Sequence, residues 1–230
     1  MNIGSSTNYY GIFKSLTGAT VSNMIFSKVT VNNGTKTGNV YIGAICGYAS
    51  TSTITNCKLY GTNSIALNYN NYESSIGGLI GFVQHSVISN CSANSTTSIY
   101  GYGYVGGIVG GSYSSDFSNC INYANLYLYW DGSNSNYAGG IVAYASNSST
   151  FTSCSNYGTI KFAGAASTEK TLTPYIGQIV GYIDSTTTYS SCGCYGDSDQ
   201  GNLTKVGGFL GIGRTDQAMY VSDEECGYEA

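Results

Sequence analysis

The chain reads as an all-β, parallel β-solenoid (β-helix), and three observations predict it. A glycine motif returns at near-constant spacing along the sequence, a strand-like segment follows each copy at an almost fixed offset, and no apolar period of 3.6 residues is found. The motif is clearest as Val105-Gly-Gly-Ile-Val-Gly110 and recurs as Ile42-Gly-Ala-Ile-Cys-Gly47, Ile76-Gly-Gly-Leu-Ile-Gly81, Ala138-Gly-Gly-Ile-Val-Ala143, Ile176-Gly-Gln-Ile-Val-Gly181 and Val206-Gly-Gly-Phe-Leu-Gly211. A worn copy stands at Tyr9-Tyr-Gly-Ile-Phe-Lys14. The first glycine position falls at residues 10, 43, 77, 106, 139, 177 and 207, so the steps are 33, 34, 29, 33, 38 and 30 residues. Repeats of this size bury their apolar side by stacking on one another. The expectation is a single domain over residues 1–230, with about seven coils of ~33 residues starting near 9, 42, 76, 105, 138, 176 and 206 and three short strands in each.

The glycine motif is the first strand of each repeat. Its glycines suit a tight corner that needs positive φ or a close backbone approach. Two adjacent apolar residues follow, such as Ile108-Val109, which leaves open whether the glycine pair forms a bulge or part of that face is covered. The second strand is the most regular: Thr20-Val-Ser-Asn-Met24, Thr53-Ile-Thr-Asn-Cys57, Val87-Ile-Ser-Asn-Cys91, Asp116-Phe-Ser-Asn-Cys120, Thr150-Phe-Thr-Ser-Cys154 and Thr188-Tyr-Ser-Ser-Cys192. Alternation of one apolar residue between Ser or Thr is the half-buried strand pattern. A weaker third strand follows, for example Ser64-Ile-Ala-Leu67 and Thr159-Ile-Lys-Phe162, and the segments after it absorb the differences in repeat length as surface loops.

Composition bounds the function. Only 9% of residues are charged, 8 basic against 12 acidic, so the net charge is −4 and no basic stripe offers a nucleic-acid surface. The 23 tyrosines and many β-branched residues argue for a folded chain. No apolar run approaches membrane-spanning length and no signal peptide is visible, so neither nucleic acid nor membrane insertion is expected. The abrupt entry into the first repeat reads as a piece of a longer protein.

The pattern of an apolar residue, Gly-Gly, two apolar residues and Gly, then six or seven residues to an apolar residue and Ser-Asn-Cys, resembles the GLUG-type repeat of large bacterial and protist surface proteins. The resemblance runs from about Tyr9 to Gly211. It implies a β-solenoid segment of an extracellular or cell-surface protein, and it brings no catalytic residues.

Five cysteines, Cys57, Cys91, Cys120, Cys154 and Cys192, share one column of the repeat with Met24. A ladder along an axis spreads thiols instead of converging them on a metal, so they read as buried small apolar residues, as does Cys46. Cys194 and Cys226 fall outside the column and are the one pair considered for a disulfide. The column before the cysteines, Asn23, Asn56, Asn90, Asn119, Ser153 and Ser191, is expected to hydrogen-bond along the axis. His85 is the single histidine and is expected in an exposed turn, and Asp116, Asp131 and Asp184 fall in different columns, so no catalytic group assembles. Asp197-Ser-Asp-Gln-Gly201 faintly resembles a calcium loop but reads as a turn. No cofactor or metal is expected. Asn33, Asn94, Asn147 and Asn202 open sequons where a glycan fits.

These features point to a non-enzymatic structural or adhesive segment, extracellular or at the cell surface, that joins end to end with further coils or copies of itself. Glycans or host and cell-surface proteins are further expected partners. A carbohydrate-binding or carbohydrate-cleaving module is the alternative, since tyrosines as in Tyr100-Gly-Tyr-Gly-Tyr104 can stack on sugars. The Thr-x-Ser/Thr ranks at 20/22, 53/55, 150/152 and 188/190 resemble an ice-binding face, interrupted by Val87 and Asp116.

Overall fold

The computed structural model describes residues 8–33, 38–67, 73–129, 136–162, 175–194 and 198–199. Over these residues the chain is a stack of solenoid turns: thirty strands form five parallel sheets, each of six strands. Every sheet takes one strand from each of six successive turns, and neighbours in a sheet are always consecutive turns. The register follows the repeat, so that Ile76 pairs with Ile42 and Val105, and Ile88 with Ile54 and Phe117. The fold class is the expected one. Each turn, however, has five strands and not three. The expected coil near residue 206 lies outside the described residues.

The third turn shows why. Its strands are Ser75–Gly77, Ile80–Gln84, Val87–Ser89, Ser92–Ala93 and Thr97–Gly101, here assigned to sheets 1 to 5 in that order. The glycine motif is not one strand. The chain bends at Gly78-Leu79, which divides it between sheets 1 and 2. This also resolves the paired apolar residues: Leu79 lies in the bend and Ile80 opens the next strand, and both are fully buried. The strand of sheet 4 is the other one that alternation misses, because two or three residues are too few to show a period.

Close approach, not positive φ, explains the motif glycines. A Cβ on Gly106 would stand 1.8 Å from the Val109 carbonyl oxygen, and one on Gly107 would stand 2.0 Å from the carbonyl oxygen of Gly140 in the next turn. Left-handed backbone occurs at the other corners. Between sheets 3 and 4 it is taken by Asn23, Asn56, Asn90, Asn119, Ser153 and Ser191, all with φ of 52–60°. Asn tolerates this region better than other residues with a Cβ, so the Asn column marks a corner. Between sheets 2 and 3 the corner uses Gly18, Thr51, His85, Ser114, Asn147 and Ser148.

The interior is one continuous apolar cluster, built from columns such as Ile45, Leu79, Ile108, Ile141 and Ile179 and Ile54, Ile88, Phe117 and Phe151. Phe117 and Phe151 stack at 4.8 Å with rings 5° from parallel. The largest differences in turn length fall between the strand of sheet 5 and the next strand of sheet 1. Smaller ones fall at other corners: between the third and fourth turns the pairing offset is 29 residues in sheet 4 and 27 in sheet 5, and between the fourth and fifth it is 33 in sheet 2 and 34 in sheet 3.

Candidate functional site

Three polar ladders and a set of aromatic stacks run along the solenoid, and their geometry decides which surfaces are available for binding. The first is the cysteine column. Cys57, Cys91, Cys120 and Cys154 are fully buried, Cys192 is half-buried, and each is a free thiol. Each thiol reaches the carbonyl two residues before it, at 3.2 Å for Cys91 to Ser89 and 3.4 Å for Cys57 to Thr55. The thiol thereby satisfies a backbone oxygen beside the left-handed corner. Hydrogen bonds shared with Cys154 and Cys91, together with burial, hold the Cys120 thiol well above its ordinary pKa. Cys46 lies in a different column, and burial pushes its thiol up to about 12. Burial thus favours the protonated form at Cys46 and Cys120.

The second ladder is buried serine, and sequence reasoning missed it. Ser52, Ser86, Ser115 and Ser149 occupy one column at the corner between sheets 2 and 3, all buried. The Ser52 N–H donates to Ser86 Oγ at 3.1 Å, and the Ser86 N–H donates to Ser115 Oγ at 3.1 Å. Each hydroxyl in turn donates within its own turn, as Ser86 does to the Gln84 carbonyl at 2.8 Å. The signal was in the sequence: a serine stands just before the second strand of four successive repeats. A third, shorter ladder is Asn122, Asn156 and Gln178, also buried and also missed. Asn122 Nδ2 donates to Asn156 Oδ1 at 2.8 Å, and Asn156 Nδ2 donates to Gln178 Oε1 at 2.6 Å. Its signal was Cys-x-Asn-Tyr in two consecutive repeats, at Cys120 and Cys154. Gly107 and Gly140 make room for it, since a Cβ there would meet the side-chain amides of Asn122 and Asn156.

The tyrosines form stacks. Where sheets 1 and 2 meet, their outward side chains face each other across a re-entrant corner. Tyr144 and Tyr182 stack at 4.9 Å, Tyr137 and Tyr175 stack at 5.0 Å, and the two stacks meet edge to face at 5.6 Å. In the earlier turns Tyr41 stacks on Phe82 at 5.4 Å. Burial raises the Tyr41 hydroxyl to about 12 and raises Tyr104 further. On sheet 5, Tyr100 and Tyr127 stack at 4.4 Å, with Tyr102 and Tyr129 beside them at the loop-bearing edge. Rings stacked on each other present edges and hydroxyls to solvent and keep their faces covered. The rings with most exposure lie at the corner after sheet 4: Tyr60 at 68%, with Tyr123 and Tyr157 near 42–43% and stacked on each other.

The remaining sequence candidates are dispersed. The Asn column contributes one axial bond, Asn56 Nδ2 to Asn23 Oδ1 at 2.6 Å. His85 is exposed at its corner, with its ring edge-on to Tyr113. Asp116 accepts from Thr150 Oγ1 at 2.6 Å on the outer face of sheet 3. Asp184 sits at the corner between sheets 2 and 3 and accepts from the Asn147 N–H and from the N–H and hydroxyl of both Thr186 and Thr187. Burial pulls its pKa up, but the Asn147 N–H and the Thr186 and Thr187 bonds outweigh it and hold the carboxylate below its ordinary range. The outer hydroxyls of sheet 3 pair along the axis, as Ser89 Oγ does with Thr55 Oγ1 at 2.9 Å. Asn94 donates through Nδ2 to the Gly61 carbonyl, and Asn147 is exposed. The side chains of Asn33 and Cys194, and residues Asp131, Asp197, Asn202 and Cys226, lie outside what is described. Among the described residues no three His, Cys, Asp or Glu side chains gather as a metal site requires, and no helix is long and apolar enough to cross a membrane.

The end of the first turn is different in kind. Ile12 belongs to the column of Ile45, Leu79, Ile108, Ile141 and Ile179, which are all fully buried, yet it is 62% exposed. Beside it a cavity of about 330 Å³ opens among Tyr10, Ile12, Phe26, Val29 and Val31.

No curated protein and no solved structure matches the chain. The family model described as the GLUG motif matches residues 72–99, which span the glycine motif and the second strand of the third turn. The motif occupies one turn of a repeat that the other turns copy in register. The chain is thus a β-solenoid that carries the GLUG motif in its third turn.

Proposed function

We propose that this chain is a non-enzymatic structural or adhesive segment of a cell-surface protein or extracellular filament, extended end to end by further turns or by copies of itself. The observation that carries this reading is the unbroken, in-register passage of all five sheets through six turns. A parallel stack rises about 4.8 Å per turn, so it acts as a stiff spacer of defined length. Placing most of the length variation between sheet 5 and the next strand of sheet 1 lets that edge change without disturbing the stack, and in repeat proteins such an edge is often the one that meets partners. Glycans and host or cell-surface proteins are the partners this surface would take.

Labelling intact cells that produce the protein natively, with an antibody to the solenoid, tests the reading. Surface signal that external protease removes is the expected result. Signal seen only after permeabilisation overturns it.

A second reading, carbohydrate recognition, is favoured by the exposure of Tyr60, Tyr123 and Tyr157. A glycan array probed with the purified chain decides it: binding that Tyr60→Ala and Tyr123→Ala abolish supports the reading, and an array without signal removes it.

A further inference from the structure

We propose that the cysteine column is a linear site for cuprous ions, with one ion seated between each pair of consecutive thiols. Such a site is independent of the structural role above and of where the chain acts. Strand pairing holds one register on both sides of the column. Thr55 pairs with Ser89 and Lys58 with Ser92 around Cys57 and Cys91, and Ser118 pairs with Thr152 and Ile121 with Ser155 around Cys120 and Cys154. Side-chain direction is constant as well. The thiols of Cys57, Cys91, Cys120, Cys154 and Cys192 all reach the carbonyl two residues before them, at 3.4, 3.2, 3.5, 3.6 and 3.4 Å. The same placement in turn after turn repeats the sulfur at the rise of the stack, about 4.8 Å.

That spacing suits one kind of coordination. Metal–thiolate bonds are about 2.3 Å long, so an ion on the line between two sulfurs spans about 4.6 Å and fits without moving a strand. Zinc takes four ligands, which a single file of thiols does not gather. Thiolate is a soft ligand that selects cuprous ion, and this ion accepts two sulfurs in line. Charge balances too. Each cuprous ion that enters takes the place of one thiol proton, which leaves to water, so a sulfur–copper bond replaces a sulfur–hydrogen bond and the buried column stays neutral. No electron is transferred. The gaps 57–91, 91–120, 120–154 and 154–192 between the five free thiols hold four ions. Met24 heads the column with a thioether, which has no proton to release and adds no ion of this kind.

Anaerobic titration of reduced residues 1–230 with cuprous ion, against a competing copper chelator, tests the proposal. Cys194→Ser and Cys226→Ser in all samples remove the two cysteines outside the column that are not buried like Cys46, and the ion is supplied both during refolding and to the folded chain. The expected result is four ions retained, with ultraviolet absorption from thiolate-to-copper charge transfer and an X-ray absorption spectrum showing two sulfur neighbours at about 2.3 Å. Affinity should rise about tenfold per pH unit across the neutral range, because one proton leaves for each ion bound. Cys120→Val breaks the two central gaps and should lower the count by two, while Cys46→Val, in another column, should leave it unchanged. Should Cys120→Val fail to fold, Cys57→Val ends the column one turn sooner and should remove one ion. No ion retained under either way of loading overturns the proposal. So does a count that the column variants leave unchanged, a loss on Cys46→Val equal to theirs, or a spectrum with three or four sulfur neighbours.

Discussion

At the residue scale, the corners carry the fold. Asn119 holds φ of 52° at an exposed position, where a Cβ without a polar side chain costs about 1 kcal/mol or more. Asn119→Ala should therefore destabilise the chain by about 1 kcal/mol and Asn119→Gly by much less, as read from thermal or urea unfolding. Equal effects would mean that the side chain matters for its bonds and not for its backbone. Asp184 makes the second residue-scale prediction. Its pKa in the folded chain lies below the ordinary value of 3.8, so the folded state favours the ionised form. The stability this gives is complete above that ordinary value and is lost as pH falls through the lower, folded pKa. Melting curves should show Asp184→Asn least stable relative to the parent at neutral pH, with the gap narrowing below about pH 4. A constant gap would remove the linkage.

At the scale of strands and ladders, glycine and asparagine work as a pair. Gly140→Ala places a methyl against the Gln178 carbonyl oxygen, 2.0 Å from the ideal Cβ, and against the Asn156 side chain, so overpacking should cost about 3 kcal/mol. Asn156→Ala should cost about 2 kcal/mol, because Gln178 Oε1 and the Gly158 carbonyl lose a buried donor. The cysteine column predicts a reactivity pattern as well: in the native chain Cys192 should label first, and Cys57, Cys91, Cys120 and Cys154 only on unfolding. Fast labelling of all five would contradict their burial.

This is also the scale at which the sequence was most and least informative. The solenoid and its register were legible because one glycine motif and one Cys-ending strand recur at matched offsets. Five strands read as three because Gly78-Leu79 bends inside a run that looks continuous, and because Ser92–Ala93 is too short to alternate. The Asn column was visible, but its role in backbone geometry was hidden behind the more familiar idea of stacked amides. The buried Ser and Asn ladders looked like ordinary turn residues, since a polar residue that closes its own hydrogen bonds inside a core has no distinctive composition. The open cavity beside Ile12 follows from what stacks on what, which a linear sequence does not display.

At the scale of the whole molecule, backbone hydrogen bonds between turns run along the solenoid axis. A pull applied to the two ends therefore loads each turn's bonds in series with the next. The weakest junction yields first and frees its turn, and the others wait. With steps of 33, 34, 29, 33 and 38 residues between successive turns, each event would release chain of about 100–130 Å at full extension. Single-molecule stretching should record a sawtooth of unequal lengths that sort by turn, and one all-or-none rupture would mean that the ladders bind the turns more tightly than their backbones do. Unlike a sheet sheared along its strands, this stack would meet tension by paying out chain a turn at a time, which makes it an extensible tether as well as a spacer.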